Sequence, residues 1–288
     1  MSPHLIMHPI KDVFLMRLPG ICCCSRDLSE QIKKVTKDVH VRAESTELML
    51  SFQRGQVTLQ QYKLLLCSLY EIYLALEEEM DRNCDHPSVA PIYFPAELAR
   101  LATIEKDLEF FFGPDWREKI VVPAATERYC HRIRQIGQEN PEYLIAHAYT
   151  RYLGDLSGGQ VLGRIAQKSM KLGGSEGLSF FAFPGVSSPN LFKRLYRSRM
   201  NSVELTEEQR SAVLQEALGA FEFNIQVFED LQKMLNVTEN KPGVGTPRSR
   251  PATTLQVGGS MIQTNPLFRM VLGLCLALAT VSIGLYAL

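Results

Sequence analysis

Apolar residues between positions 27 and 235 return every three or four places, the spacing that lines one face of a helix, with polar residues between them. Asp27-Leu28-Ser29-Glu30 has the form of a capping box and predicts a first helix over about 27–55. Thr58-Leu59-Gln60-Gln61 opens a second, whose Tyr62, Leu65, Leu66, Leu69, Tyr73 and Leu76 share a face. Pro95 stands at the start of a third, over 97–112, which Gly113-Pro114 closes. Further helices are predicted over 125–138, 141–172, 189–203 and 206–235, the last opened by the box Thr206-Glu207-Glu208-Gln209. Strand-like alternation is nearly missing, and the best β-prone run, 178–183, is cut off by Pro184 and Gly185. The expectation is an all-α fold, a single multi-helix domain over 27–235.

Two flanks depart from that pattern. Residues 270–288 run for nineteen positions without a charge and leave no polar face. At ~1.5 Å per residue such a helix crosses most of a ~30 Å hydrocarbon core. A C-terminal transmembrane helix over 267–288 is therefore expected, a tail anchor inserted after synthesis. Lys241, Arg248, Arg250 and Arg269 precede it and put the body of the chain on the cytosolic side. Residues 236–266, rich in Asn, Pro, Gly, Ser and Thr, read as a flexible linker. Asn236-Val237-Thr238 fits the glycosylation pattern but reads as a helix end, because a cytosolic domain does not meet that machinery. Residues 1–26 read as a flexible extension in which Cys22, Cys23 and Cys24 stand together, with lipid attachment as the alternative use of these thiols.

Charge and cysteine content leave the chemistry to local features. Thirty-one Lys and Arg balance thirty-one Asp and Glu, so nothing global marks the chain for nucleic acid. Seven cysteines, an odd number without Cys-x-x-Cys pairing, argue against a disulfide framework or a zinc site. In the first helix Lys33, Thr36, Lys37, His40 and Glu44 fall on or near one face. That face offers an imidazole able to ligate iron, a carboxylate one turn on that could hold the second ring nitrogen, and two ammonium groups able to pair with carboxylates. A plain solvated face has the same spacing. Further on, Gly154, Gly158 and Gly159 interrupt an amphipathic helix at about 1 kcal/mol each relative to Ala. Either the backbone there approaches a flat ligand, with Asp155 and Ser157 holding water beside it, or the glycines let a second helix pack closely.

The stretch Tyr149-Thr150-Arg151-Tyr152-Leu153-Gly154-Asp155-Leu156-Ser157-Gly158-Gly159-Gln160 resembles the signature of the haem oxygenase family. Thr36-Lys37-Asp38-Val39-His40, Leu76-Glu77-Glu78-Glu79-Met80, Tyr93-Phe94-Pro95 and Tyr196-Arg197-Ser198-Arg199-Met200-Asn201 agree with it too. The lack of a Cys-Pro dipeptide brings the chain nearer the vertebrate inducible type than the constitutive one. The resemblance implies haem sandwiched between a proximal helix carrying His40, the iron ligand with Glu44 behind it, and a glycine-kinked distal helix with Gly154, Gly158 and Gly159. It implies that Lys33, Lys37, Lys193 and Arg197 face the haem propionates and that Tyr149 lines the pocket. Asp155, with Arg151, Tyr73 and Asn224, would organise water on the distal side.

The implied reaction is oxidative cleavage of haem to biliverdin, ferrous iron and carbon monoxide with O2, haem being both substrate and oxygen-activating centre. Electrons would come from an NADPH-dependent donor like NADPH-cytochrome P-450 reductase, with biliverdin reductase a further partner, at the endoplasmic reticulum membrane. Gly163-Arg164 departs from the family pattern, which often has two lysines there, and that bears on reductase docking. A ferritin-like di-iron bundle needs Glu-x-x-His pairs, and none of the six histidines has Glu three places before it. A tail-anchored haem carrier or scaffold without turnover would use His40 but gives no reason for the glycine-rich stretch.

Overall fold

The computed structural model describes residues 26–239, the side chains of 237–239 excepted. Among them there is no strand. Twelve helices follow one another: α1 (Leu28–Val35), α2 (Lys37–Glu44), α3 (Glu47–Gln53), α4 (Leu59–Arg82), α5 (Pro95–Leu98), α6 (Leu101–Phe112), α7 (Trp116–Lys119), α8 (Ala124–Glu139), α9 (Leu144–Ala148), α10 (Gly154–Met170), α11 (Pro189–Asn201) and α12 (Glu207–Glu239). A π-helical turn, Tyr149–Leu153, joins α9 to α10, and a 3₁₀ turn, Ser179–Phe181, lies between α10 and α11.

The central element is α4. Its N-terminus is fixed by the capping box: Thr58 N–H donates to Gln61 Oε1 at 2.8 Å and Gln61 N–H to Thr58 Oγ1 at 3.1 Å. Such a cap contributes about 1 kcal/mol, whereas each fully buried large apolar side chain contributes about 1.5–3 kcal/mol. The cap thus sets where α4 begins, and Tyr62, Leu66, Ile72, Tyr73 and Leu76 hold it in place. It packs on α6 and α8, and it meets α8 where Gly137 leaves no room for a Cβ, which would stand 2.3 Å from Glu79 Oε2. Thr206 and Gln209 make the same reciprocal cap at α12 (3.0 and 3.2 Å), which runs back along α8, α9, α2 and α3.

The apolar core falls into two parts. Most buried residues form one cluster, while Val39, Ala43 and Ile225 form a second, small one that joins α2 to α12. Helix α2, which carries His40, is thus seated apart from the main core.

Several boundaries differ from the sequence expectation. The first helix is three, because hydroxyl side chains compete for carbonyls that a longer helix would use. Thr36 Oγ1 donates to Ile32 O (2.8 Å) at the α1–α2 joint, and Ser45 Oγ and Thr46 Oγ1 donate to Val41 O (2.8 Å) and Ala43 O (2.9 Å) at the α2–α3 joint. Thr36 is therefore buried in the joint rather than displayed beside His40. The Asp27 side chain makes no capping bond to α1. The helix expected over 97–112 begins at Leu101, since Ala99 is extended (ψ 132°) and Glu77 Oε1, from α4, accepts from Arg100 N–H (2.5 Å) and Leu101 N–H (3.3 Å). The stretch 141–172 is broken by the π turn and ends at Lys171, in the left-handed region (φ 55°). At the other end α12 continues past Leu235 to Glu239, so the Asn236-Val237-Thr238 motif lies within its last turn. The N-terminal extension with Cys22, Cys23 and Cys24, the linker beyond 239 and the transmembrane helix over 267–288 fall outside the described residues.

Candidate functional site

The four residues assigned to distal chemistry come from four separate elements and meet in one hydrogen-bonded chain. Tyr73 OH, on α4, donates to Asp155 Oδ2, on α10. Arg151, from the π turn, donates through Nη2 to the same Oδ2 (3.0 Å) and through Nη1 to Asn224 Oδ1 on α12 (2.8 Å). Asn224 is itself fixed by donating to Ala220 O at 2.7 Å. Both bonds to Asp155 thus reach one oxygen, and Oδ1 is the carboxylate atom that remains for a water molecule. Arg151 is buried, which works against its charge, yet the Asp155 carboxylate and Tyr73 outweigh that and push its pKa up. Burial first, then the Asp155 charge, holds Tyr73 well above the ordinary tyrosine range, so its hydroxyl stays a donor.

The chain continues deeper through residues that sequence reasoning missed. Tyr129, stacked on Phe223 with ring centroids 5.1 Å apart, lies near Asn224 and 3.2 Å from His147 Nδ1. His147 Nε2 lies 2.9 Å from Glu216 Oε1, whose carboxylate also takes two bonds from Arg132 (3.1 and 2.6 Å). Against burial, the bonds from His147 and Arg132 bring Glu216 down to about 2. A histidine between two alanines in Ala146-His147-Ala148 was the only local hint of this buried cluster.

His40 approaches the same part of α12. Its ring meets Phe221 edge-on at 5.2 Å, one turn before Asn224, so the imidazole and the Asp155 chain border one short stretch of that helix. Burial lowers the pKa of His40 and raises that of Glu44, favouring the neutral form of both. A neutral imidazole is the form that ligates a metal. Glu44 stands beside the imidazole as its spacing suggested, with Oε1 3.7 Å from His40 Nε2, within ion-pair range and longer than a hydrogen bond.

The basic residues gather more loosely. Lys33 is on α1, 3.7 Å from Glu30, and Lys37 is exposed at the start of α2. Helices α1 and α11 are tied by Ser29 N–H to Asn201 Oδ1 (2.9 Å), and one turn from that junction lie Lys33 and Arg197. Lys193 and Arg197 are half-buried one turn apart on α11. Tyr149 packs partly buried on the core near Tyr196 of α11, which links the π turn to that helix. Thr150 Oγ1, Arg151 Nε and Tyr196 OH are buried there without a hydrogen-bond partner among the described residues.

The glycines divide into two sets. A Cβ on Gly154 would meet no described atom within 4 Å, and one on Gly158 only Leu162 at 3.7 Å. On the opposite side of α10, Gly159 and Gly163 are buried against Phe181, at 3.5 and 3.1 Å. The Cβ direction of Gly159 thus points to Phe181, whereas that of Gly154 points to open space. Helix α10 is continuous through all these glycines, and the π turn lies directly ahead of them. Its extra residue per turn re-aims Arg151 while keeping it four places from Asp155.

A family model described as "Heme oxygenase" matches residues 26–230. "Heme oxygenase" of Takifugu rubripes is 99% identical over 264 residues, covering 92% of this chain and 95% of that protein. "Heme oxygenase 1" of Homo sapiens is 48% identical over 284 residues, covering 91% and 96%. Among solved structures, heme oxygenase-1 of the cyanobacterium Synechocystis in complex with heme superposes with a TM-score of 0.69 at 38% identity, covering 74% of this chain and 97% of that one. Heme oxygenase-2 of the same organism, with heme and NO, gives 0.71 at 35% identity over 74% and 88%.

Proposed function

The chain belongs to the haem oxygenase family, an oxidoreductase acting on haem as substrate and cofactor, and we propose that His40, Asp155 and the residues joined to them carry its reaction. The product set that follows is biliverdin, ferrous iron and carbon monoxide. The observation that carries this reading is the convergence of Tyr73, Arg151, Asp155 and Asn224 on one chain beside an open glycine face.

Bound haem supplies the iron that activates oxygen and the ring that is oxidised. The protein holds and orients it. His40 would hold the iron through one ring nitrogen. Lys33, Lys37, Lys193 and Arg197 pair with the propionates and fix the ring's rotation, hence which edge is opened. Gly154 and Gly158 would leave room for the ring beside α10, and Tyr149 would line the pocket. Asp155 Oδ1 orients a water molecule from which a proton is delivered. Tyr73 and Arg151 hold that carboxylate by its other oxygen, and Asn224 holds Arg151. A single turnover with haem, ascorbate and O2 tests the reading: bile pigment is expected, and a stable haem spectrum in the presence of reductant would favour a carrier instead.

The same reading extends to the setting of the enzyme. Electrons come from an NADPH-dependent reductase, and biliverdin passes to a biliverdin reductase. Arg164 is exposed and available to the electron donor, whereas Gly163 faces inward. The uncharged run 270–288 anchors the chain in the endoplasmic reticulum membrane with the helical domain in the cytosol. Deletion of 270–288 should leave a soluble, active enzyme, and a truncated chain that stayed in the membrane pellet would overturn the anchor.

A further inference from the structure

The segment 178–183 holds only a single 3₁₀ turn, yet two buried charged groups grip it, Asp107 from α6 and Arg100 from the position just before it. Asp107, fully buried, accepts from Ser179 N–H (2.8 Å) through Oδ1 and from Phe180 N–H (2.7 Å) through Oδ2. Arg100, 2% exposed, donates to the carbonyls of Leu98 (3.0 Å), Phe180 (3.3 Å) and Ala182, and its guanidinium lies 3.7 Å over the Phe183 ring. One side chain takes the amides and the other the carbonyls of the same short stretch. Buried charges are a costly way to hold a loop that neutral groups could hold, so their use implies that the position of this segment matters.

What the segment touches shows why. Phe181 is the residue that lies against Gly159 and Gly163 on the back of α10, while Gly154 and Gly158 open on the other side. Helix α10 therefore rests on Phe181 from behind and is unsupported in front, where a ligand would lie. The neighbouring Phe180 packs edge-on against Tyr73 at 6.0 Å, and Tyr73 is the donor to Asp155. The segment thus bears on the helix that carries Asp155 and on the side chain that orients it.

We propose that Arg100 and Asp107 are positioning residues for the distal side: they fix where Phe181 stands, and Phe181 sets how far α10 leans over the haem. This rests on the reading that haem lies against Gly154 and Gly158. It assigns to α6, which supplies no distal ligand or proton group, control over the distance between Asp155 and the ring.

The test pairs Asp107→Asn, which turns an acceptor toward an amide donor, with Gly163→Ala, which leaves the clamp intact and adds a methyl 3.1 Å from the Phe181 ring. Leu108→Ala, a buried neighbour of Asp107 with no part in the clamp, is the control for general destabilisation. In the haem-free full chain, hydrogen exchange over 154–163 should quicken at least tenfold in Asp107→Asn, with exchange over α8 unchanged. In the haem-loaded enzyme, biliverdin formed per haem consumed should fall in both Asp107→Asn and Gly163→Ala at unchanged haem affinity. Parental exchange and parental yield in both variants would overturn the proposal, as would an equal change in Leu108→Ala. If the parent itself left haem uncleaved, the functional reading would fail while the exchange measurement still decided the clamp.

Discussion

His40 and Asp155 border the same turn of α12, one through Phe221 and the other through Arg151 and Asn224, and they are held there in different ways. The His40 imidazole has one edge contact, with Phe221, and no hydrogen bond to Glu44, and Phe221 packs on the small cluster of Val39, Ala43 and Ile225. The distal carboxylate is held by donors from α4 and the π turn, and that pair is continuous with α12. On the proposed function the difference follows from two tasks. A ligand has only to be neutral and free to move onto a metal that then fixes it. A proton must arrive at one place, and only groups already oriented can do that without a reorganisation cost.

The comparison is broken most directly at the proximal side, where one residue does the work. His40→Ala should abolish turnover, a loss beyond the ~100-fold typical for removing a ligand's supporting partner, and should leave the helical circular dichroism unchanged. Undiminished biliverdin formation by that variant would refute the assignment. On the distal side Asp155→Ala should lower biliverdin yield by about 100-fold while haem affinity, read by Soret titration, changes little. Asp155→Asn should retain part of the activity, since an amide still meets Tyr73 and water. Equal activity in Asp155→Ala and the parent would make that residue a structural one. A smaller effect is expected from replacing Lys193 and Arg197 together by Glu, because each charge-assisted pair contributes at most about 3 kcal/mol to the ring's orientation. Chromatography should then resolve a mixture of biliverdin isomers, and a single unchanged isomer would show that pocket shape alone orients the ring.

The smallest effects are on stability, and they sharpen the contrast within the distal side. Glu216 is held at about 2, below its unfolded value, so its contribution is present above about pH 4.5 and is lost as pH falls toward 2. Glu77 is raised by burial to about 7, so the folded state binds its proton more readily than the unfolded state. Its charge therefore costs stability above about pH 7, and that cost is relieved as pH falls toward 4.5. Glu216→Gln should lower Tm at pH 7 and flatten its fall below pH 4.5, with about 3 kcal/mol at stake. Glu77→Gln should flatten the slope of Tm between pH 5 and 7 instead. Identical pH profiles for the two variants would contradict the opposed roles.

The sequence by itself determined the helical fold class and the capping boxes at Thr58 and Thr206. All of these depend on neighbours three or four places apart along one helix. It also placed His40 among its candidates, and the family resemblance brought Tyr73 and Asn224 to the same site. Only the tertiary structure decided that Gly154 and Gly158 face open space while Gly159 and Gly163 face Phe181, since helical period alone does not say what lies outside the helix. It alone decided the breaks at Thr36 and Ser45, where side-chain hydroxyls take backbone carbonyls. It alone joined Tyr129, His147 and Glu216 from α8, α9 and α12, and set Arg100 and Asp107 on the loop over 178–183. The reason is range: a buried polar group is satisfied by whichever element the packed core brings beside it, and that partner is 69 residues away for His147 and Glu216 and 73 for Asp107 and Phe180.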